Sequence, residues 1–198
     1  MSFHLRRYSY QKTNVLKSLV FWCVCIGFHG LLAKFVYTKG ISIGLLEKEP
    51  LYDLVQDYLP NLQSHRIIPE ILHVIPVVVL AYYIAIFWHM QCLSDFFLKH
   101  GSLMFLRSIL FSVTLLPDSS RMCHRTNHLG GCFDLMFSGH STITLLSTLL
   151  LTKHFPISKF LKHSLFLNVF LTSVLIILCR NHYTIDVIIS LLLTYLSF

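Results

Sequence analysis

The chain is short of charge. Asp, Glu, Lys and Arg make up 13% of its 198 residues, against roughly 25% in ordinary soluble domains. With 55% hydrophobic residues and 16 Phe, that scarcity excludes a soluble globular domain and reads as an integral membrane protein. Acids are scarcer than bases, 9 against 16, for a formal charge of +7. No basic block or basic face accompanies the excess, which excludes nucleic acid as its reason; a basic cytoplasmic rim accounts for it. No Cys-x-x-Cys pair with histidine partners occurs among the 6 cysteines, which excludes a cysteine metal site and a disulfide framework. No internal repeat and no low-complexity linker divides the chain. One multi-pass membrane domain over 1–198 is expected.

What is present is a series of apolar runs. A spanning helix needs roughly 20 apolar residues to cross a ~30 Å core. Six candidates predict an all-α bundle of six transmembrane helices, at about 15–37, 67–89, 101–116, 135–152, 164–180 and 184–198. The first run is too long for a signal peptide and lacks a small-residue cleavage site. With the N-terminus in the cytosol, the inner segments carry Arg6, Arg7, Lys12, Lys17, Lys99, Lys153, Lys159 and Lys162. The outer segments carry Lys39, Lys48, Arg66, Arg121, Arg125 and Arg180. The positive-inside bias is slight, and it puts both termini in the cytosol.

Two polar islands interrupt this apolar sequence: Ser138-Gly139-His140 and His182-Tyr183-Thr184-Ile185-Asp186. Ionisable residues at membrane depth cost a few kcal/mol and mark functional sites by default. In the six-helix topology both islands fall on the outer face. Asp186 lies four residues after His182, on one face if the last helix starts near His182. The carboxylate then holds one imidazole nitrogen and leaves the other as nucleophile. His140 supplies a proton to a leaving alkoxide. Gly139 lets backbone approach closely, and Ser138 can hold a phosphate oxygen. The chemistry is phosphoryl transfer through a phosphohistidine, with no metal and no cofactor. Lone histidines such as His29 and His73 read as interhelical hydrogen-bonding residues.

Arg107 sits inside a predicted span and has two readings. It binds a lipid phosphate through its planar fork of donors, or it pairs with an acid such as Glu70 or Asp134. Asp134 is placed to orient His140 or a head group. Glu70 faces either the site or the interface. A choline head group favours acids or aromatic faces nearby; Tyr183, Phe133 and Phe137 are available, though lipid-facing packing is the stronger reading for aromatics this abundant. Cys123 and Cys132 precede His140 in an outer loop; there they can pair or remain free thiols.

The stretch Cys132-Phe133-Asp134-Leu135-Met136-Phe137-Ser138-Gly139-His140, followed by His182-Tyr183-Thr184-Ile185-Asp186-Val187, resembles the sphingomyelin synthase family, within the type 2 phosphatidic acid phosphatase superfamily. The family pattern is Cys-Gly-Asp, three residues, Ser-Gly-His-Thr, then His-Tyr-Thr-x-Asp-Val. Leu106-Arg107-Ser108-Ile109, continuing through Val113-Thr114 to Leu116-Pro117, is similar to its third-helix motif. Glu49-Pro50-Leu51-Tyr52-Asp53 resembles its Pro-Pro-Leu-Pro-Asp loop motif. The resemblance implies a six-helix enzyme that moves a phospho-head group from a glycerophospholipid, phosphatidylcholine in the best-known members, onto ceramide. Diacylglycerol leaves, and His140, His182 and Asp186 form the implied triad. Arg107, Asp134, Ser138, Gly139 and Tyr183 are the expected substrate-binding residues. Membrane lipids are the expected partners, in the Golgi, endoplasmic reticulum or plasma membrane with the site lumenal or extracellular. The head group and the oligomeric state, a homo-oligomer included, stay open.

The chain departs from the family pattern in several places. Phe133 replaces the family glycine and is expected to reshape the head-group pocket. Ser141 replaces threonine, and Ser190-Leu191-Leu192 follows Val187 where small residues and tyrosine are usual. The Pro117–Asp134 loop is shorter than in typical relatives. A cytosolic tail beyond Phe198 and an N-terminal partner domain are expected to be lacking. Two alternatives remain. A lipid phosphate phosphatase would use the same histidines with water. Against it, there is no Lys-to-Arg-Pro motif, and Arg180 does not supply the Ser-Arg pair ahead of His182. A non-enzymatic lipid-binding membrane protein would have little reason to keep the triad.

Overall fold

The computed structural model describes residues 2–120, 123 and 132–198, with side chains from residue 14 onward. The described residues form helices and loops without strands. The helices are α1 (Ser2–Ser42), α2 (Leu54–Tyr58), α3 (Ile67–Phe87), α4 (Met90–Val113), α5 (Gly139–His154), α6 (Lys159–Leu178) and α7 (Thr184–Leu196). All six expected helices have a counterpart, and α2 is an addition too short for hydrophobic periodicity to register. Among the described residues, four segments are long and apolar enough to cross a membrane: Asn14–Ser42, Ile67–Phe87, Met90–Val113 and Lys159–Leu178. They make this a membrane protein. α5 and α7, of 16 and 13 residues, reach only about 24 and 20 Å at 1.5 Å per residue.

α1 begins at Ser2 rather than near residue 15, and the third long helix begins at Met90 rather than near residue 101. Polar residues hid its first three turns, and each finds a partner. Gln91 donates to Asp95 (2.7 Å), Asp95 meets His154 (3.0 Å), and His100 Nδ1 accepts from Trp22 Nε1 (2.8 Å). The chain reverses between α3 and α4 through Trp88 in the left-handed region (φ 47°), and His89 caps α4 by accepting from Cys92 N. α5 starts later than expected, because residues 135–138 form the loop that feeds it. Arg121 and Arg125 of the charge count lie outside the described residues.

α1 lies along α4, seated through Trp22 on His100 and Phe28 on Phe105 (ring centroids 5.3 Å). α5 is the central helix, touching α3, α4, α6 and α7. Its sequence is rich in Ser and Thr, which is poor for lipid contact but workable in a helix surrounded by protein. Three buried threonine hydroxyls fold back on their own helix: Thr142 to Ser138 O (2.8 Å), Thr144 to His140 O (2.6 Å), Thr148 to Thr144 O (3.0 Å). This i−4 bonding satisfies the hydroxyls without a partner helix. Leu146, Leu150 and Leu151 carry the apolar side of α5 into a core with Leu80, Leu103 and Leu165.

Candidate active site

The two polar islands meet at the N-terminal ends of α5 and α7. Ser138 caps α5, its Oγ accepting from Ser141 N (3.3 Å), and its own N–H donates to Asp186 O (3.2 Å). One backbone bond therefore joins the two helix starts. Asp186 is the third residue of α7 and reaches back to accept from Tyr183 N (3.2 Å). His182 thus lies just before the helix rather than on it. Its Nδ1 is 3.4 Å from Asp186 Oδ2 and hydrogen-bonds Leu135 O (3.1 Å). A carbonyl can only accept, so Nδ1 carries the proton and Nε2 keeps its lone pair. Asp186 is fully buried, and its location beside Nδ1 favours charge on the ring once Nε2 is alkylated or phosphorylated.

His140 is the second residue of α5, nearer the helix start than expected. Its ring centroid lies 6.3 Å from that of His182. Its Nε2 hydrogen-bonds Glu70 Oε2 (3.0 Å), and its Nδ1 is buried, so Nε2 is the nitrogen open to chemistry. Glu70 therefore faces the site rather than the interface. His73, read from sequence as an interhelical hydrogen-bonding residue, stands edge-on to His140 at 4.7 Å. A cavity of about 540 Å³ opens between them, lined among others by Arg66, Glu70, His73, Arg107, Asp134, Gly139, His140 and His182.

Arg107 is buried and pairs with Asp134 (3.3 Å), not Glu70. Its Nε donates to Phe137 O (2.6 Å), its NH2 to Asp134 O (2.5 Å), and its NH1 to His29 Nε2 (3.0 Å). Arg107 thus holds the loop 134–137 from both ends, and Leu135 O, the acceptor for His182, lies between them. His29 accepts at Nε2 and so donates at Nδ1, to Ser108 Oγ (3.0 Å). Burial pushes the Asp134 carboxyl up, but Arg107, with His182 and His29, outweighs it and holds the group below the usual carboxylate range.

Other expected residues sit differently. Tyr183 is buried away from the cavity; its hydroxyl donates to Pro117 O (3.0 Å) and accepts from Leu51 N (2.9 Å). Ser138 spends its hydroxyl on the cap. A Cβ at Gly139 would meet Arg107 Nε at 3.9 Å, an ordinary contact. Packing does not demand a glycine there, and the space it leaves opens on the cavity. Phe133 is not among the residues that line the cavity. Its ring stacks on Tyr37 (6.2 Å) and sits against Gly40 of α1, where any Cβ would overlap it. Cys123 and Cys132 are joined in a disulfide, Cα–Cα 5.5 Å.

Sequence reasoning also missed a strap. Asp53 caps α2, Oδ1 accepting from Val55 N and Gln56 N, and grips α7 by accepting from Thr184 N (2.6 Å) and Thr184 Oγ1 (2.9 Å). Gln56 Nε2 donates to His182 O (2.8 Å), and Arg180 NH2 donates to Gln56 O. The segment after α1 therefore holds the turn that carries His182. Asp53 and Gln56 have the spacing of a capping box, a signal legible in the sequence.

Residues 131–198 match the PAP2 superfamily C-terminal model. The matched segment contains both histidines and Asp186, and it supports the type 2 phosphatidic acid phosphatase superfamily, whose members are phosphatases or phosphotransferases acting on membrane lipids. The match does not single out sphingomyelin synthases within it. No curated protein matches the chain.

Proposed function

We propose that this chain is a sphingolipid synthase, moving a phospho-head group from a glycerophospholipid, phosphatidylcholine first, onto ceramide. The observation that carries the reading is His182 with Nδ1 locked and Nε2 left to a polar cavity that His140 shares. His182 Nε2 attacks the donor phosphorus, and the bond to the diacylglycerol oxygen breaks. His140 Nε2 gives that oxygen its proton. The primary hydroxyl of ceramide then returns a proton to His140 while its oxygen attacks phosphorus and the P–N bond breaks. Asp186 balances the charge on phosphorylated His182. The start of α5 adds the positive end of a helix dipole near the phosphate. Arg107 and Asp134 position the loop that holds His182. Head-group binding falls to cavity residues such as Asp134 and Glu70 rather than Tyr183.

In this reading α5 and α7 complete six spans, both termini are cytosolic, and the site faces the lumen or exterior in the Golgi, endoplasmic reticulum or plasma membrane. A disulfide at Cys123–Cys132 suits that oxidising side. Hydrolysis of a lipid phosphate is the second reading, favoured by the breadth of the superfamily match. Protein in detergent micelles, given fluorescent ceramide and each donor in turn, separates the two. A new polar sphingolipid, lost in His182→Ala, is expected. Phosphate release from phosphatidate without transfer selects hydrolysis, and a labelled phosphoenzyme in His182→Ala overturns the assignment of the nucleophile.

A further inference from the structure

Glu70, His73 and His140 bring three metal-ligating side chains together on one wall of the cavity. Glu70 and His73 are three apart on α3, which puts them side by side on one helix face. His140 comes from α5. One ligating atom from each lies within 4.8 Å of the others. Glu70 Oε2 is 3.0 Å from His140 Nε2 and 3.9 Å from His73 Nδ1. Tetrahedral zinc with bonds of about 2.0–2.1 Å spaces its ligand atoms by roughly 3.3 Å. The observed separations bracket that spacing. All three side chains are partly exposed, and all three line the cavity.

We propose that Glu70, His73 and His140 form a binding site for a zinc-class divalent cation, and that its occupation blocks proton transfer by His140. Two imidazoles and a carboxylate are the donor set of open zinc sites, with a fourth place left for water or substrate. Nitrogen ligands favour zinc-like ions over magnesium or calcium. His73 Nδ1 need give up only a 3.3 Å contact with Pro69 O. Glu70, at 40% side-chain exposure, has room to turn. Metal on His140 Nε2 takes the lone pair that would receive the ceramide proton, so bound cation and proton transfer exclude each other. This second half rests on the proposed role of His140; the binding does not.

The test uses the full chain in detergent, stripped with chelator and titrated with zinc by calorimetry. One saturable equivalent is expected. His73→Gln and Glu70→Gln should each weaken it by at least about 100-fold, the upper range for second-shell losses. Zinc should also protect His73 and His140 of the unmutated protein from carbethoxylation, a reading that survives if a variant fails to fold. Absence of saturable binding, unchanged affinity in both variants, or no protection overturns the site. In the transfer assay zinc should inhibit with the midpoint of its binding; binding without inhibition overturns the block. A chain that binds zinc as described but transfers no head group keeps the site and sinks the functional reading instead.

Discussion

At the residue scale, the geometry of the candidate site depends on side chains other than its two histidines. Arg107 directs donors to Phe137 O, Asp134 O, Asp134 Oδ2 and His29. Arg107→Ala leaves Asp134 without its cation and is expected to cost about 3–5 kcal/mol, as loss of one partner of a buried pair does. Arg107→Lys keeps the charge but not the planar fork. It should recover much of the thermal midpoint yet little turnover, because Leu135 O is no longer fixed for His182; equal recovery of both would contradict the positioning role. Asp53 gives a second prediction. Burial raises its carboxyl, and hydrogen bonds from Thr184, Gln56 and Val55 more than offset this, leaving it below the usual range. Asp134 is depressed too. Unfolded, each titrates near 4. A carboxylate depressed on folding stabilises above its unfolded value and loses that contribution as pH falls through the folded one. The unfolding midpoint should therefore hold from neutral pH to about 5 and drop below about 4. Asp53→Asn keeps a capping oxygen but gives up one of the two acceptors that Asp53 offers α2 and Thr184; it should lower the plateau by about 1 kcal/mol for the hydrogen bond lost and flatten the acid drop. A midpoint that rises on acidification would contradict this.

At the scale of elements, the sequence was readable where periodicity and length speak. The helices from 67, 164 and 184 begin within about five residues of expectation, since long apolar runs bounded by polar residues leave little choice. The start of α4 was not readable, because Gln91, Asp95 and His100 look like a break until the partners of Asp95 on α5 and of His100 on α1 are known. In the site, the pairing of His182 with Asp186 was legible from spacing. The parts played by Glu70, His73 and Gln56 depend on packing between distant segments and were not. Phe133 shows the same limit. Beside the catalytic motif it looks like a specificity residue, yet it fills space left by Gly40. Gly40→Ala should therefore destabilise by about 1–3 kcal/mol, the usual cost of overpacking. Phe133→Ala in the same chain should recover part of it, with a coupling of at least about 0.5 kcal/mol in a double-mutant cycle. Strict additivity in thermal unfolding would separate the two residues.

At the scale of the whole molecule, helix length sets the vertical position of the chemistry. The far ends of α5 and α7 converge on one layer. Lys153 and Lys99 lie over the Phe198 ring (4.9 and 5.0 Å), and His154 meets Asp95. From that layer α5 and α7 rise only about 24 and 20 Å, while the hydrocarbon core is ~30 Å thick. With the lower layer at the interface, the helix starts that carry His140 and His182 stop roughly 6–10 Å beneath the opposite surface. The histidines then occupy a well, with the lipid surface above them as its rim. In the proposed transfer a head group has to sink to reach His182, and an acceptor already anchored in the membrane has readier access there than bulk water does. Bilayer thickness becomes a control on turnover. In nanodiscs of increasing acyl length, transfer should fall steadily while the unfolding midpoint changes little; turnover indifferent to thickness would put the histidines at the rim instead.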